Sequence, residues 1–252
     1  MEAGERQVIL IVADISGYTR FMVANQTALS HAQVIITELI QAIIKEVEIP
    51  LQVAKLEGDA VFLYAIKDTS AADWAKVREQ IGQKLIGFFG VFGEKVAELS
   101  QSNTCKCDAC EHVEALRLKT VVHSGQALFY EVGGFSELSG VDVILVHRLL
   151  KNSVHADEYV MLTEDAYRDV AFPPQIEVVE GQESYDSIGT IKTYVYYPPA
   201  DKMIFLDMDD MPRYDTRRYR IKNMALKMLN AMLYRLRIKP LPEYEHLPKS
   251  PF

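Results

Sequence analysis

Residues 8–14, VILIVAD, constrain this chain more than any other stretch. Six apolar residues in a row, rich in β-branched side chains, predict a strand covered on both faces. The run ends on an acid, Asp14, and the turn-forming Gly17-Tyr18-Thr19 follows at once. An Asp before a helix serves as an N-cap in the bland reading. A second acid, Asp59, sits in KLEGDA between two apolar strand-like runs, Leu51–Lys55 and Ala60–Ile66. Taken alone it is a turn residue. Taken together, with Lys55 four residues before Asp59, the two acids suggest a site.

The remaining pattern supplies the frame. Apolar spacing predicts a helix over Leu29–Val47, stopped before Pro50, and a long helix over Ala71–Leu99 interrupted near Gly87 or Gly90. Leu116–His123 and Gln126–Val132 read as a second hairpin turning at Ser124-Gly125. Val141–Leu150 is a buried helix or strand by periodicity, and Tyr159–Leu162 and Lys192–Tyr197 are further strands. The order β-α-β-β-α-β is that of an α+β, ferredoxin-like (split βαβ) domain. Residues 1–200 form that domain. Residues 201–252 are a helical extension with a Pro-rich tail, in which Asp207, Asp209 and Asp210 read as a solvated turn.

In such a sheet the first strand lies beside the 51–66 hairpin, so Asp14 and Asp59 approach each other. Two close carboxylates repel unless a cation lies between them. Oxygen ligands suit Mg²⁺ or Mn²⁺, completed by substrate phosphates. The Gly17 turn offers backbone N–H groups to such phosphates.

VADISGYTRF resembles the first metal-binding motif of class III nucleotidyl cyclases, and KLEGDA resembles their Lys-x-x-Gly-Asp motif. HSGQA at 123–127 and GVDVILVHRLL at 140–150 resemble their His-x-Gly turn and dimer-interface helix. The wording of KLEGDAVFLYA and DVILVHRLLKN is most similar to an uncharacterised bacterial branch of that superfamily. The resemblance runs over residues 8–197. It implies two metal ions (Mg²⁺ or Mn²⁺) held by Asp14, Asp59 and the carbonyl of Ile15, and triphosphate binding by Gly17, Tyr18 and Thr19. It also implies base reading by Lys55 and Glu137 and transition-state stabilisation by Arg148. The implied reaction turns a nucleoside triphosphate, ATP by the Lys55–Glu137 pair, into a 3′,5′-cyclic nucleotide and pyrophosphate. The implied assembly is a homodimer with its site at the interface.

Two departures favour a second reading, a catalytically degenerate homologue that binds nucleotide as a sensor or interaction module. The family's transition-state asparagine falls on Ile144, which has no hydrogen-bond donor. A phosphate-binding lysine falls near Ile188. Asn152, one helical turn beyond Arg148, is a candidate replacement donor.

Cys105, Cys107, Cys110 and His112 are either reduced thiols in a polar loop, Gln101–His112, or ligands of a structural Zn²⁺. His123 reads as a turn or core residue, and His147 as one that packs or hydrogen-bonds on its helix. The net charge of −8 argues against nucleic acid and against membrane association. No signal peptide or 20-residue apolar span is evident, and the three cysteines do not suit a disulfide framework, so a cytoplasmic protein is expected. Residues 217–239 carry apolar residues at helical spacing flanked by cations. They read as a helix packed on the domain or its mate, with a membrane-surface helix as the alternative.

Overall fold

The computed structural model describes residues 4–26, 29–48, 50–67, 71–102, 108–199, 214 and 216–235. The apolar run becomes β1 (Gly4–Ser16), an inner strand of one mixed sheet. β2 (Gln52–Glu57) and β3 (Ala60–Ile66) form the first hairpin, and β3 lies antiparallel to β1. On the other side of β1 lies β4 (Arg117–Val132), also antiparallel. The order β4-β1-β3-β2 is the split βαβ arrangement, and β6 (Tyr159–Thr163), β8 (Gly189–Tyr196) and β7 (Val179–Tyr185) extend it beyond β4.

The unbroken run of apolar residues has a direct cause: along Val8–Ala13 β1 has no solvent face. Ile9, Ile11, Ala13 and Ile15 pack under α2 (Leu29–Glu46) and α3 (Ala71–Ser102). Val8, Leu10 and Val12 pack on the opposite face with Phe62, Val121 and the inner side of α5 (Val141–Arg148). The 141–150 stretch is thus helical. Asp14 shares the parity of Val8, Leu10 and Val12, so it emerges on the α5 side of the sheet just beyond that core.

Three expectations are corrected. First, α3 is one continuous helix through Gly87 and Gly90, running to Ser102. The glycine that matters is Gly82, where an added Cβ would overlap the Ala171 carbonyl. Second, Ser124-Gly125 is not a turn, because β4 is a single strand of 16 residues. Gly125 pairs with Val8 of β1, the Ser124 hydroxyl donates to Asp169 Oδ2 (2.6 Å), and the Gln126 N–H donates to Asp142 Oδ2 (2.6 Å). Each hydrogen-bonding demand that a turn would have met is met across the fold. The hairpin turns instead at Gly133-Gly134, both with positive φ (61° and 85°), and leads into β5 (Phe135–Ser139). Third, the 101–112 segment is not loop throughout: a helical turn, α4 (Asp108–Glu111), lies within it.

Two short helices complete the frame, α1 (Tyr18–Ala24) after the Gly17 turn and α6 (Glu164–Asp169) after β6. The C-terminal helix is α7 (Arg217–Arg235). The acidic cluster at 207–210 and the Pro-rich tail lie outside the described residues.

Candidate active site

The strand register places the first pair of groups. Asp14 of β1 faces Ala60 of β3 and Lys119 of β4, so Asp59 is one residue from the strand position opposite Asp14. The two carboxyls lie close enough for each other's charge to be felt. Burial and the Asp14 charge push Asp59 up to about 7, so near neutral pH the pair shares a proton. Lys119 Nζ sits 2.9 Å from Asp14 Oδ2. Burial lowers that ammonium, but the hydrogen bond and charge of Asp14 outweigh it and hold Lys119 above the ordinary lysine value.

Next to this pair the chain turns. Gly17 has φ 86°, a left-handed conformation that favours glycine, and it is the N-cap of α1. Asp14, Ile15, Gly17, Tyr18, Thr19, Asp59 and Lys119 line one open cleft of about 420 Å³. The Ile15 side chain is buried under the helices, so its contribution to the cleft is main chain. Asp157, on the loop before β6, lines it too.

The donor set fits a hard divalent cation. Crowding of the two acids raises Asp59 even with a lysine alongside, and Mg²⁺ or Mn²⁺ between them would relieve that repulsion by displacing the proton. Among the described residues no group of three or more His, Cys, Asp or Glu side chains converges as a metal cage. Such an ion would therefore rely on substrate phosphates for part of its shell.

A second cluster lies on β2, β5 and α5. Lys55 Nζ is 3.3 Å from Glu137 Oε2 and 3.4 Å from Glu57 Oε1. Burial lowers Lys55, but its hydrogen bond to Glu137 and the charges of Glu137 and Glu57 raise it further, so it stays charged. Glu57 Oε2 in turn meets His147 Nε2 at 2.9 Å, while His147 Nδ1 lies 2.8 Å from the Val143 carbonyl. The structure thus brings Lys55 and Glu137 together across 82 residues of sequence.

Arg148 joins neither group. It is exposed on α5 beside Ile144, His147 and Lys151, lining a separate cleft of about 580 Å³. Ile144 is 56% exposed, an apolar side chain on an open helix face. Asn152 does not face that cleft with a free donor: its amide nitrogen donates to the Leu149 carbonyl and the Tyr159 hydroxyl, both at 2.7 Å. Two amide hydrogens have two partners, and Asn152 holds the chain after α5 in place. Ile188 packs against the core on the α5 side. His123 is a buried core residue held between Thr163 Oγ1 (2.9 Å) and Asp142 Oδ1 (3.1 Å).

Of the cysteine-loop residues, Cys105 and Cys107 lie outside the described residues. Cys110 is half-buried against the helical core, and His112 is exposed.

Sequence reasoning passes over Lys119, Asp157 and Glu57. Lys119 carries a usable signal, since it shares the parity of the buried Val121 on its own strand-like run. Glu57 stands inside the KLEGDA motif. Asp157 has no local signal, because a loop reaches the cleft only through the β4–β6 pairing.

A family described as a protein of unknown function (DUF2652) matches residues 36–159. The uncharacterized protein Rv2561/Rv2562 of Mycobacterium tuberculosis is 35% identical over 114 residues, covering 45% of this chain and 50% of that protein. The chain therefore spans about half the length of this curated relative. Among solved structures, the adenylyl cyclase CyaB from P. aeruginosa superposes with a TM-score of 0.57 at 14% identity, over 78% of this chain and 96% of that one. A bacterial light-regulated adenylyl cyclase gives 0.58 at 12%, over 81% and 56%. The guanylyl cyclase Cya2 gives 0.55 at 10%, over 78% and 94%. The chain has the fold of class III adenylyl and guanylyl cyclase domains.

Proposed function

We propose that this chain binds a nucleoside triphosphate in the Asp14–Asp59 cleft and converts it to a 3′,5′-cyclic nucleotide and pyrophosphate, as a cytoplasmic homodimer. The observation that carries this reading is the convergence of Asp14, Asp59 and Lys119 beside the Gly17 turn. Asp14, Asp59 and the Ile15 carbonyl would hold Mg²⁺ or Mn²⁺. The bound ion would lower the pKa of the ribose 3′-hydroxyl and offset phosphate charge. The Gly17–Thr19 turn and Lys119 orient the triphosphate. The 3′-oxygen bonds to the α-phosphorus as the bond to the pyrophosphate oxygen breaks, and the hydroxyl proton leaves to solvent. Lys55 and Glu137, an ammonium and a carboxylate side by side, match the ring nitrogen and amino group of adenine.

The Asp14–Asp59 cleft includes neither the Lys55–Glu137 pair nor Arg148, which shares its own cleft with His147 of the second cluster. A second copy would bring them to one substrate, as the fold's relatives suggest: one guanylyl cyclase domain is described as a non-canonical dimer, and one cyclase core is solved with ATPαS.

The sensor reading rests on Ile144 and on Asn152, whose amide hydrogens are both engaged. Missing one preorganised donor commonly costs about 10²–10³ in rate. Incubation with ATP or GTP and Mn²⁺, with mass-spectrometric detection of products, separates the two. A cyclic product that vanishes in Asp14→Ala and Asp59→Ala supports the enzyme. Metal-dependent binding without product supports the sensor.

A further inference from the structure

The helix α7 is chemically unlike the rest of the chain. Its 19 residues hold six of the chain's 27 lysines and arginines and none of its 35 aspartates and glutamates. It therefore carries +6, against −14 on everything else. One side of it is tethered to α3. The Asn223 amide donates to Glu98 Oε1 (3.2 Å), and Tyr214, just before the helix, donates to Glu94 Oε1 (2.6 Å).

The outward side is apolar and basic together. Ile221 and Met232 are each 53% exposed, and Leu226 and Leu229 each 47%. At 100° per residue these four span an arc of about 140°. Arg217, Arg218 and Lys222 are exposed on the first turns of the same side, where Arg218 and Lys222 fall inside the arc. Such a face rarely stays in water when it can be buried.

Charge decides among occupants. Two α7 helices packed face to face would bring +12 together, with no acid on either helix to relieve it. An anionic bilayer supplies acyl chains for the apolar arc and phosphates for the cations, and it demands no register. No helix among the described residues is long and apolar enough to cross a membrane, so α7 would lie in the interface plane.

We propose that the outer face of α7 docks on anionic lipid surfaces, with Ile221, Leu226, Leu229 and Met232 entering the acyl boundary and Arg217, Arg218 and Lys222 meeting headgroup phosphates. This sets aside the expectation from net charge alone, because the +6 is gathered on one helix while the −14 is on the rest of the chain. It does not depend on the proposed cyclase activity.

The test is flotation of the full chain with phosphatidylcholine vesicles, with and without phosphatidylglycerol. Binding to the anionic vesicles alone, weakened by added salt, is expected. Each basic residue near such a surface is worth about fivefold in partitioning, so the triple variant Arg217→Gln/Arg218→Gln/Lys222→Gln should bind on the order of 100-fold more weakly. Leu229→Ser/Met232→Ser should also lose binding. Both variants change exposed side chains, and unchanged thermal unfolding would show that the fold is intact. Absence of the wild-type chain from anionic vesicles would overturn the proposal, as would equal flotation of the triple variant. So would sedimentation velocity showing a dimer that the Leu229→Ser/Met232→Ser variant dissociates, which would give the face to a second copy.

Discussion

Replacing Asp59 by Asn should stabilise the protein in the presence of a chelator, and the gain should depend on pH. In the folded chain Asp59 rises from the ordinary 3.8 to about 7, through burial first and the Asp14 charge second. The folded state therefore binds a proton that the unfolded state has already released. The stability tied to this proton is complete below pH 4 and is lost as pH climbs through about 7. Fully buried, a shift of this size would be worth about 4 kcal/mol. Asp59 is only half-buried, and solvent screening reduces this to roughly 2 kcal/mol. Asparagine removes the repulsion and keeps the shape. At pH 8, Asp59→Asn should melt about 4–8 °C higher than the wild type, and the difference should shrink as pH falls towards 4. Mn²⁺ or Mg²⁺ with nucleotide should raise the wild-type Tm above pH 7 and have much less effect on the variant. Scanning calorimetry in EDTA across pH 4–8 measures this. A variant less stable than wild type at pH 8, or a difference that ignores pH, would refute the shared-proton account of the cleft.

Other perturbations probe the frame and the second cluster. Lys119→Gln removes the cation beside Asp14, so Asp59 should titrate above 7 and triphosphate affinity should fall about tenfold or more, read by calorimetric titration. Gly82→Ala drives a methyl into the Ala171 carbonyl and should cost about 1–3 kcal/mol in urea unfolding, whereas Gly87→Ala, which meets only the end of Glu46, should be neutral or stabilising. Glu137→Gln should leave stability within about 1 kcal/mol, since its pair with Lys55 is partly exposed, yet should narrow any preference for ATP over GTP in binding.

The parts of the fold that follow from local pattern are the parts the sequence reveals. β1 announces itself because both its faces are covered, so no polar residue interrupts Val8–Ala13. The 51–66 hairpin shows because Gly58-Asp59 separates two apolar runs. Ser124-Gly125 misleads because a turn and a crossed contact use the same small residues. Here Gly125 leaves room for the Asp142 carboxylate, and only α5 in place reveals that need. β7 hides because its burial pattern is mostly exposed, with little apolar alternation to detect. Asp14 and Asp59 are legible together only once the split βαβ order is assumed. Lys119 needs register as well as order, and Asp157 needs the whole sheet. The Lys55–Glu137 contact joins residues whose partnership no spacing rule suggests; the family resemblance supplies it.

The position of β1 also governs when the protein can form. Its partner on one side, β3, is complete by residue 66, but its partner on the other, β4, ends at residue 132, and the two pair along all thirteen positions from Gly4–Phe129 to Ser16–Arg117. A ribosome must therefore release about a hundred residues beyond β1 before that strand can lose its last open edge. Until then the most apolar segment of the protein is a half-paired ribbon, screened on one face by α2 and α3. Closing a loop of about a hundred residues is slow compared with forming the hairpin. The run that encodes this inner strand is thus also the segment a nascent chain most needs shielded, by a chaperone or by speed.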